Sequence, residues 1–357
     1  MSSERSTLDF SGQSVYVGVD VGRKSWSVSI YTEQFEHKTF VQSPDPEALV
    51  KYLHKHFPGA SYMCVYEAGY SGFWPQRALS AAGVECIVVH PCDVPTTDKE
   101  RKNRTDRVDA RKLARSLRNS DLDAIYVPSQ AAQEDRSLVR SRQQMVKKLT
   151  RCKNQIKALL ACYGFTPPAD VGGAHWSRKW LQWLQELQFE RPSGRRSLEL
   201  LLSEFFFLRE QIADVTRQIR SLSEEEPYRE LVALLRTVPG ISLLSAMILL
   251  TELIDLDRFP DFDHLASYVG LKPGEDSSGD KEIVTGLTHR CSTHLRAMLI
   301  ECSWVAVRKD PALTLAFSEL TKRMTKTKAI VRIARKLLSR IRYVLKHREP
   351  YVIGVVN

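Results

Sequence analysis

Three short segments rich in β-branched and aromatic residues follow one another within the first 41 residues: 15–21 (VYVGVDV), 25–31 (SWSVSIY) and 36–41. Each has the length of a strand and the gaps between them are turn-sized, so the chain begins as three consecutive strands. Gly22-Arg23-Lys24 forms the tight turn between the first two. The pattern then changes to alternation. Leu49, Val50 and Leu53 share one side of a helix over 46–57, with Asp45 placed as its N-cap. A strand over 61–67 (SYMCVYE), a helix over 73–82 and a strand over 84–90 (VECIVVH) follow, the last with the near-continuous apolar run of a buried strand. A polar stretch, 91–104, leads into a helix over 105–118. Three strands followed by strand–helix alternation predict a mixed α/β sheet.

Composition shifts near residue 130. Residues 136–160 hold eight lysines and arginines and no acidic residue, on a heptad-like stripe of Leu138, Met145, Leu149, Ile156 and Leu159. That is a long amphipathic helix with one basic face. A Pro/Gly segment at 166–173 turns the chain, and helices around 176–187 and 197–222 complete an antiparallel hairpin suited to a coiled-coil dimer contact. Trp176, Trp180 and Trp183 form a helix stripe that favours core packing over base stacking. The acidic Glu224-Glu225-Glu226-Pro227 marks the next boundary, and the remainder reads as mostly helical. In it, Val238-Pro239-Gly240-Ile241 is either a phosphate-holding helix-hairpin-helix turn or a plain tight turn. A polar loop at 274–281 interrupts the helices. The last basic helix, 322–348, carries eleven lysines and arginines and no acidic residue, on a frame of Ile330, Ile333, Leu337, Ile341 and Leu345. The expected regions are 1–128, a sheet domain; 129–227, a helical coiled-coil or hairpin region; and 228–357, a helical domain.

Composition excludes several classes. With 43% hydrophobic residues, the 357-residue chain is not mostly disordered. Its longest apolar stretch, 241–250, is about half of the roughly 20 residues a bilayer requires. The N-terminus lacks the layout of a secretory signal. Seven cysteines without a CxxC read as reduced thiols of a cytoplasmic protein. The 52 basic against 42 acidic residues leave a net charge of +10, which favours a polyanionic partner.

Four carboxylates stand where chemistry is plausible. Asp20 ends an otherwise apolar strand, where a carboxylate is costly unless paired, and Glu67 closes another strand in the same way. Asp106 and Asp109, three apart, share a helix face. Around them lie Arg101, Lys102, Arg104, Arg107, Arg111 and Lys112. Hard oxygen ligands of this kind suit two Mg²⁺ ions, with Mn²⁺ as an alternative, and flanking cations suit a nucleic-acid backbone. Each residue also has an ordinary role open to it: a strand-end turn for Asp20, a helix N-terminus for Asp106, a lysine or arginine pair for Asp109. Together, the order of elements and the four positions resemble the RNase H-like fold of RuvC-type Holliday-junction resolvases. A second chemistry is offered by Ser277-Ser278-Gly279, a hydroxyl beside glycine near Lys281 and Arg290, which would attack a phosphodiester to give a phosphoserine link. An ordinary loop has the same composition.

Taken together, Gly18-Val19-Asp20-Val21-Gly22, Tyr66-Glu67-Ala68-Gly69, Thr105-Asp106-Arg107-Val108-Asp109-Ala110, Val238-Pro239-Gly240-Ile241, Tyr268-Val269-Gly270-Leu271-Lys272-Pro273, Ser277-Ser278-Gly279 and Leu295-Arg296 make the chain similar to the DEDD insertion-sequence transposases described as bridge-RNA-guided serine recombinases. The resemblance implies an RuvC-like catalytic domain, a helical middle and a C-terminal transposase domain. It implies metal binding by Asp20, Glu67, Asp106 and Asp109, a nucleophilic Ser278 with Ser277 as fallback, and a composite site joining the two. It further implies double-stranded donor and target DNA, a noncoding guide RNA, a homodimer or homotetramer, and a place at the nucleoid of a prokaryotic cell. His289-Arg290-Cys291 and Asp280 depart from the family pattern. The cations expected to touch nucleic acid are Arg104, Arg107, Arg111, Lys147, Lys148, Arg151, Lys281, Arg290, Arg332 and Arg335. Three rival readings remain: a resolvase-like metal nuclease that never uses the serine, a small-molecule kinase of the actin-like fold suggested by GVDVG, and a non-catalytic DNA-binding protein.

Overall fold

The computed structural model describes residues 9–98, 105–172, 176–278, 281–287 and 290–354. The chain divides into two compact units, Met1–Val127 and Pro128–Asn357.

In the first unit, β1 (Ser14–Val21), β2 (Trp26–Thr32), β3 (Glu36–Gln42), β4 (Ser61–Glu67) and β5 (Glu85–Val89) form one sheet ordered β3-β2-β1-β4-β5. The turn-sized gaps make β1, β2 and β3 antiparallel neighbours, whereas helical crossovers make β4 parallel to β1 and β5 parallel to β4. The mixed sheet expected from the strand pattern is present. α1 (Pro46–His56) starts at Asp45, whose carboxylate accepts the Glu47 amide at 2.9 Å, and it buries Leu49, Val50 and Leu53. α2 (Trp74–Ala81) buries Leu79. Both pack with Val15, Val17 and Val19 of β1. Because side chains alternate along a strand, Tyr16, Gly18 and Asp20 turn to the opposite face. There, α3 (Asp106–Arg118) packs Leu113 and Leu117 against Val65 and Val89. Thr105 caps α3, its hydroxyl accepting the Val108 amide.

In the second unit, α4 (Gln130–Cys162) runs for 33 residues, about 50 Å at 1.5 Å per residue. It lies antiparallel to α6 (Pro192–Leu222), since the Cys152 thiol donates to the Leu201 carbonyl while Arg142 Nε donates to Thr216 Oγ1. α5 (Arg178–Glu186) closes this bundle. Trp180 is buried there and Trp176 stacks on Phe205 at 5.0 Å, so the tryptophan stripe is core. The fully buried residues of α4 are Val139, Cys152, Ile156 and Leu160, with the predicted Leu138, Met145, Leu149 and Leu159 only partly buried beside them. The stripe is wider than expected because α4 serves two cores. Cys152, Ile156 and Leu160 join the α5–α6 core, while Val139 joins the core of the C-terminal helices. The expected boundary near 227 lies within one compact unit, and Val139, Val215 and Ile219 before it share a core with the helices after it.

The C-terminal core is built from α7 (Tyr228–Leu235), α8 (Leu243–Leu253), α9 (Phe262–Val269), α10 (Thr293–Lys309), α11 (Pro311–Thr321) and α12 (Lys326–His347). All five apolar positions predicted on α12 are buried. Gly240 has φ +90°, and a Cβ there would overlap the Cys302 carbonyl of α10. The turn before α8 is thus pressed into the core, and a Ser242–Ser245 capping box takes up its amides, which favours the plain tight turn. The polar segment at 274–281 is not a loop throughout: β6 (Pro273–Ser278) pairs antiparallel with β7 (Lys281–Leu287), Ser278 opposite Lys281. The β-branched run Ile283-Val284-Thr285 supplies the strand preference that the polar residues before it mask.

Candidate active site

β1 and β4 are parallel neighbours in register Val19 to Tyr66, so Asp20 and Glu67, one residue further along each strand, emerge at the same sheet edge. Asp106 and Asp109 occupy the first turn of α3. What brings helix to strand is a glycine. A Cβ on Gly18 would overlap the Ala110 carbonyl and the Ala114 amide, so α3 lies directly on the β1 backbone, with Ala110 and Ala114 fully buried beneath it. Asp20 is two residues beyond Gly18 on the same face, and Asp106 and Asp109 lie one turn before Ala110 and Ala114. The close approach sets Asp106 and Asp109 near enough to Asp20 for their charges to act on it.

The electrostatics register this convergence. The Asp20 carboxyl is raised from 3.8 to about 6, first by burial and then by repulsion from Asp106, Asp109 and Glu67; Lys112 opposes the shift. Lys112 is 4% exposed, and its Nζ lies 3.1 Å from Asp109 Oδ1 and 3.2 Å from Glu67 Oε1. Among the described residues, no three carboxylate, imidazole or thiolate groups converge closely enough to cage a metal as they stand. At the rim, the Tyr70 hydroxyl donates to the Val21 carbonyl at 3.0 Å and leaves its ring 69% exposed. Neither the bridging role of Lys112 nor the rim position of Tyr70 was read from the sequence. Placement of Tyr70 three residues after Glu67 was the available signal.

The expected nucleic-acid contacts separate by environment. Arg107, Lys147, Lys148, Arg151, Arg290 and Arg332 are exposed. Arg111 is exposed but tied by Nε to Glu36 Oε1 at 2.8 Å, and Glu36 in turn accepts from Tyr31 and Thr39. Arg335 pairs with Asp263 at 2.6 Å and lies over the Phe262 ring. Two further cations of the first basic run serve structure: Arg140 donates from Nε and Nη2 to the two carboxylate oxygens of the buried Glu252, at 2.6 and 2.7 Å, and Arg142 Nε donates to Thr216. Arg104 lies outside the described residues, as do Gly279 and the side chains of Ser277, Ser278 and Lys281.

Residues 17–164, from β1 into α4, match a family model described as a transposase, of the IS110 DEDD type. Residues 232–318 match one described as the IS116/IS110/IS902 transposase family. The transposase for insertion sequence element IS1111A of Coxiella burnetii is 25% identical over 358 residues, covering 98% of this chain and 93% of that protein. The transposase for insertion sequence element IS1533 of Leptospira borgpetersenii is 28% identical over 246 residues, 68% of this chain and 70% of its own length. The y4qE protein of Sinorhizobium fredii is 34% identical over 246 residues, and the match spans 58% of that protein's length. With a DEDD transposase region followed by an IS116/IS110/IS902 region, the chain belongs to the IS110/IS116 family of transposases.

Proposed function

We propose that the protein is the transposase of an insertion sequence, which cuts and rejoins double-stranded DNA through a phosphoserine intermediate. The observation that supports the reading is that Asp20 and Glu67 end neighbouring strands while Asp106 and Asp109 stand in the first turn of α3, and burial first, then repulsion from the other three carboxylates, raises the Asp20 carboxyl to about 6. Four oxygen-donor side chains suit a hard divalent cation, Mg²⁺ or Mn²⁺. When bound, the metal supplies charge neutralisation at the reacting phosphate. Asp20, Glu67, Asp106 and Asp109 would hold it, within a domain whose strand order fits an RNase H-like fold.

Ser278 Oγ attacks the phosphorus, the new Oγ–P bond forms as the P–O3′ bond breaks, and the proton passes from the serine to the leaving 3′ oxygen. A 3′-hydroxyl from another strand reverses the step, which rejoins DNA without an energy source. The exposed Lys147, Lys148, Arg151 and Arg332 bind backbone phosphates. By family resemblance, a noncoding RNA pairs with donor and target DNA, and a homo-oligomer, dimer or tetramer, brings the two together.

Incubation of the protein with flanking-element RNA, supercoiled DNA and Mg²⁺ is expected to give a covalent protein–DNA adduct that maps to Ser278. Ser278→Ala abolishes adduct and strand transfer, and Asp20→Ala abolishes both as well. Strand transfer that survives Ser278→Ala refutes serine chemistry. Cutting that persists without an adduct supports the second reading, a metal-dependent nuclease working through the same carboxylates.

A further inference from the structure

Among the described residues, Lys112 is the one lysine or arginine that is buried. A buried ammonium is stable only where anions surround it. Lys112 stands one turn inside Asp109 on α3, and its Nζ bridges Asp109 Oδ1 and Glu67 Oε1 at 3.1 and 3.2 Å, joining the helix to the end of β4. Glu67 and Asp109 are thus already partnered by a cation, while Asp20 and Asp106 have no hydrogen-bonded contact with it. Arg111, the neighbouring cation, is turned away to Glu36 on β3.

We propose that Lys112 is an internal counter-cation of the acidic set, so that the set takes one divalent ion with Lys112 seated and a second only when its ammonium is displaced. The inference rests on the metal-binding reading above and deepens it. Lys112 holds Glu67 and Asp109 in position before metal arrives, and it makes the number of bound ions depend on where its side chain lies. It is a positioning residue: it acts through the carboxylates and touches no reacting atom.

The test uses the full-length protein and Mn²⁺ alone. Paramagnetic resonance counts bound ions, and thermal melting is followed with and without Mn²⁺, for wild type, Lys112→Met and Asp20→Asn. Wild type is expected to bind one Mn²⁺ per chain and Lys112→Met two, with the first ion held at least about tenfold tighter once the competing charge is gone. Without metal, Lys112→Met melts below wild type, and Mn²⁺ raises its Tm by more than it raises that of wild type. Should Lys112→Met fail to fold, Lys112→Gln replaces it. The wild-type count also decides independently, because two ions bound at once with Lys112 in place overturn the proposal. A Lys112→Met count equal to wild type, with no larger gain in Tm, overturns it too. If Asp20→Asn abolishes binding in that case, the acidic set still binds metal and only the role of Lys112 fails. No Mn²⁺ on any of the proteins overturns the metal reading along with it.

Discussion

Asp20→Asn separates the stability of the acidic edge from its chemistry. In the fold, the Asp20 carboxyl is raised from its ordinary 3.8 to about 6 by burial and by its acidic neighbours. At ~1.4 kcal/mol per tenfold, that rise corresponds to about 3 kcal/mol as an upper bound. The carboxylate keeps some contact with water, and screening reduces the figure to about 1–2 kcal/mol. Its folded pKa exceeds the unfolded value, so its stabilising contribution is fully present below about pH 3.8 and is lost as pH rises through about 6. At pH 7.5 the wild-type protein carries the whole penalty. Asparagine keeps the shape and removes the charge. Urea denaturation in EDTA, followed by circular dichroism, is therefore expected to find Asp20→Asn more stable than wild type by about 1–2 kcal/mol at pH 7.5. The gap should close as pH falls below 6. Adding Mn²⁺ should stabilise wild type and leave the variant unchanged, narrowing or reversing the order. A variant no more stable than wild type at pH 7.5, or a gap that does not change with pH, would refute the argument that these carboxylates repel one another in one site.

Gly18→Val places a side chain where the α3 backbone already lies, and should destabilise the first unit by about 3 kcal/mol or more, with loss of Mn²⁺ binding. Calorimetry and the ion count check this together. Arg140→Ala leaves Glu252 as an uncompensated buried charge and should cost about 3–5 kcal/mol in urea denaturation, whereas the double change Arg140→Met with Glu252→Leu should cost far less. Neutralising Lys147, Lys148 and Arg151 together should leave the fold intact and make the plot of log affinity for DNA against log salt shallower by about 3. Tyr351→Phe removes a hydroxyl that donates to the buried Asp310 carboxylate at 2.6 Å and should cost about 1 kcal/mol.

Much of the first unit was legible because its signals are local. The 61–67 strand, the Asp45 cap and the Thr105 start of α3 depend on side chains within a few residues, and each lies within a residue or two of its expected place. The positions of the four carboxylates were legible because strand ends and a first helical turn are places that sequence can mark. What joins them was not. Gly18 matters through Ala110 and Ala114, some ninety residues away, and nothing in its own neighbourhood announces that contact. Lys112 read as one more cation of a basic segment, and only the packing of α3 on β4 makes it a buried bridge. The stripe on α4 was legible in part: Leu138, Met145, Leu149, Ile156 and Leu159 all pack on a core, whereas Val139, Cys152 and Leu160 were left out because two cores draw on different faces of one helix. The 311–321 helix was not singled out although its start is local: Asp310 accepts the Ala312 and Leu313 amides and Pro311 stands at its first position.

That double membership of α4 has a mechanical consequence. No proline or glycine interrupts its 33 residues, so the helix is a stiff rod clamped at Val139 in one core and at Cys152 in the other. Lys147, Lys148 and Arg151 sit on the span between the clamps. Their mutual spacing is set by the helix and cannot adapt to a nucleic-acid backbone one residue at a time. A load on one of them is borne by both cores, and a twist imposed at either clamp turns all three charges as a block.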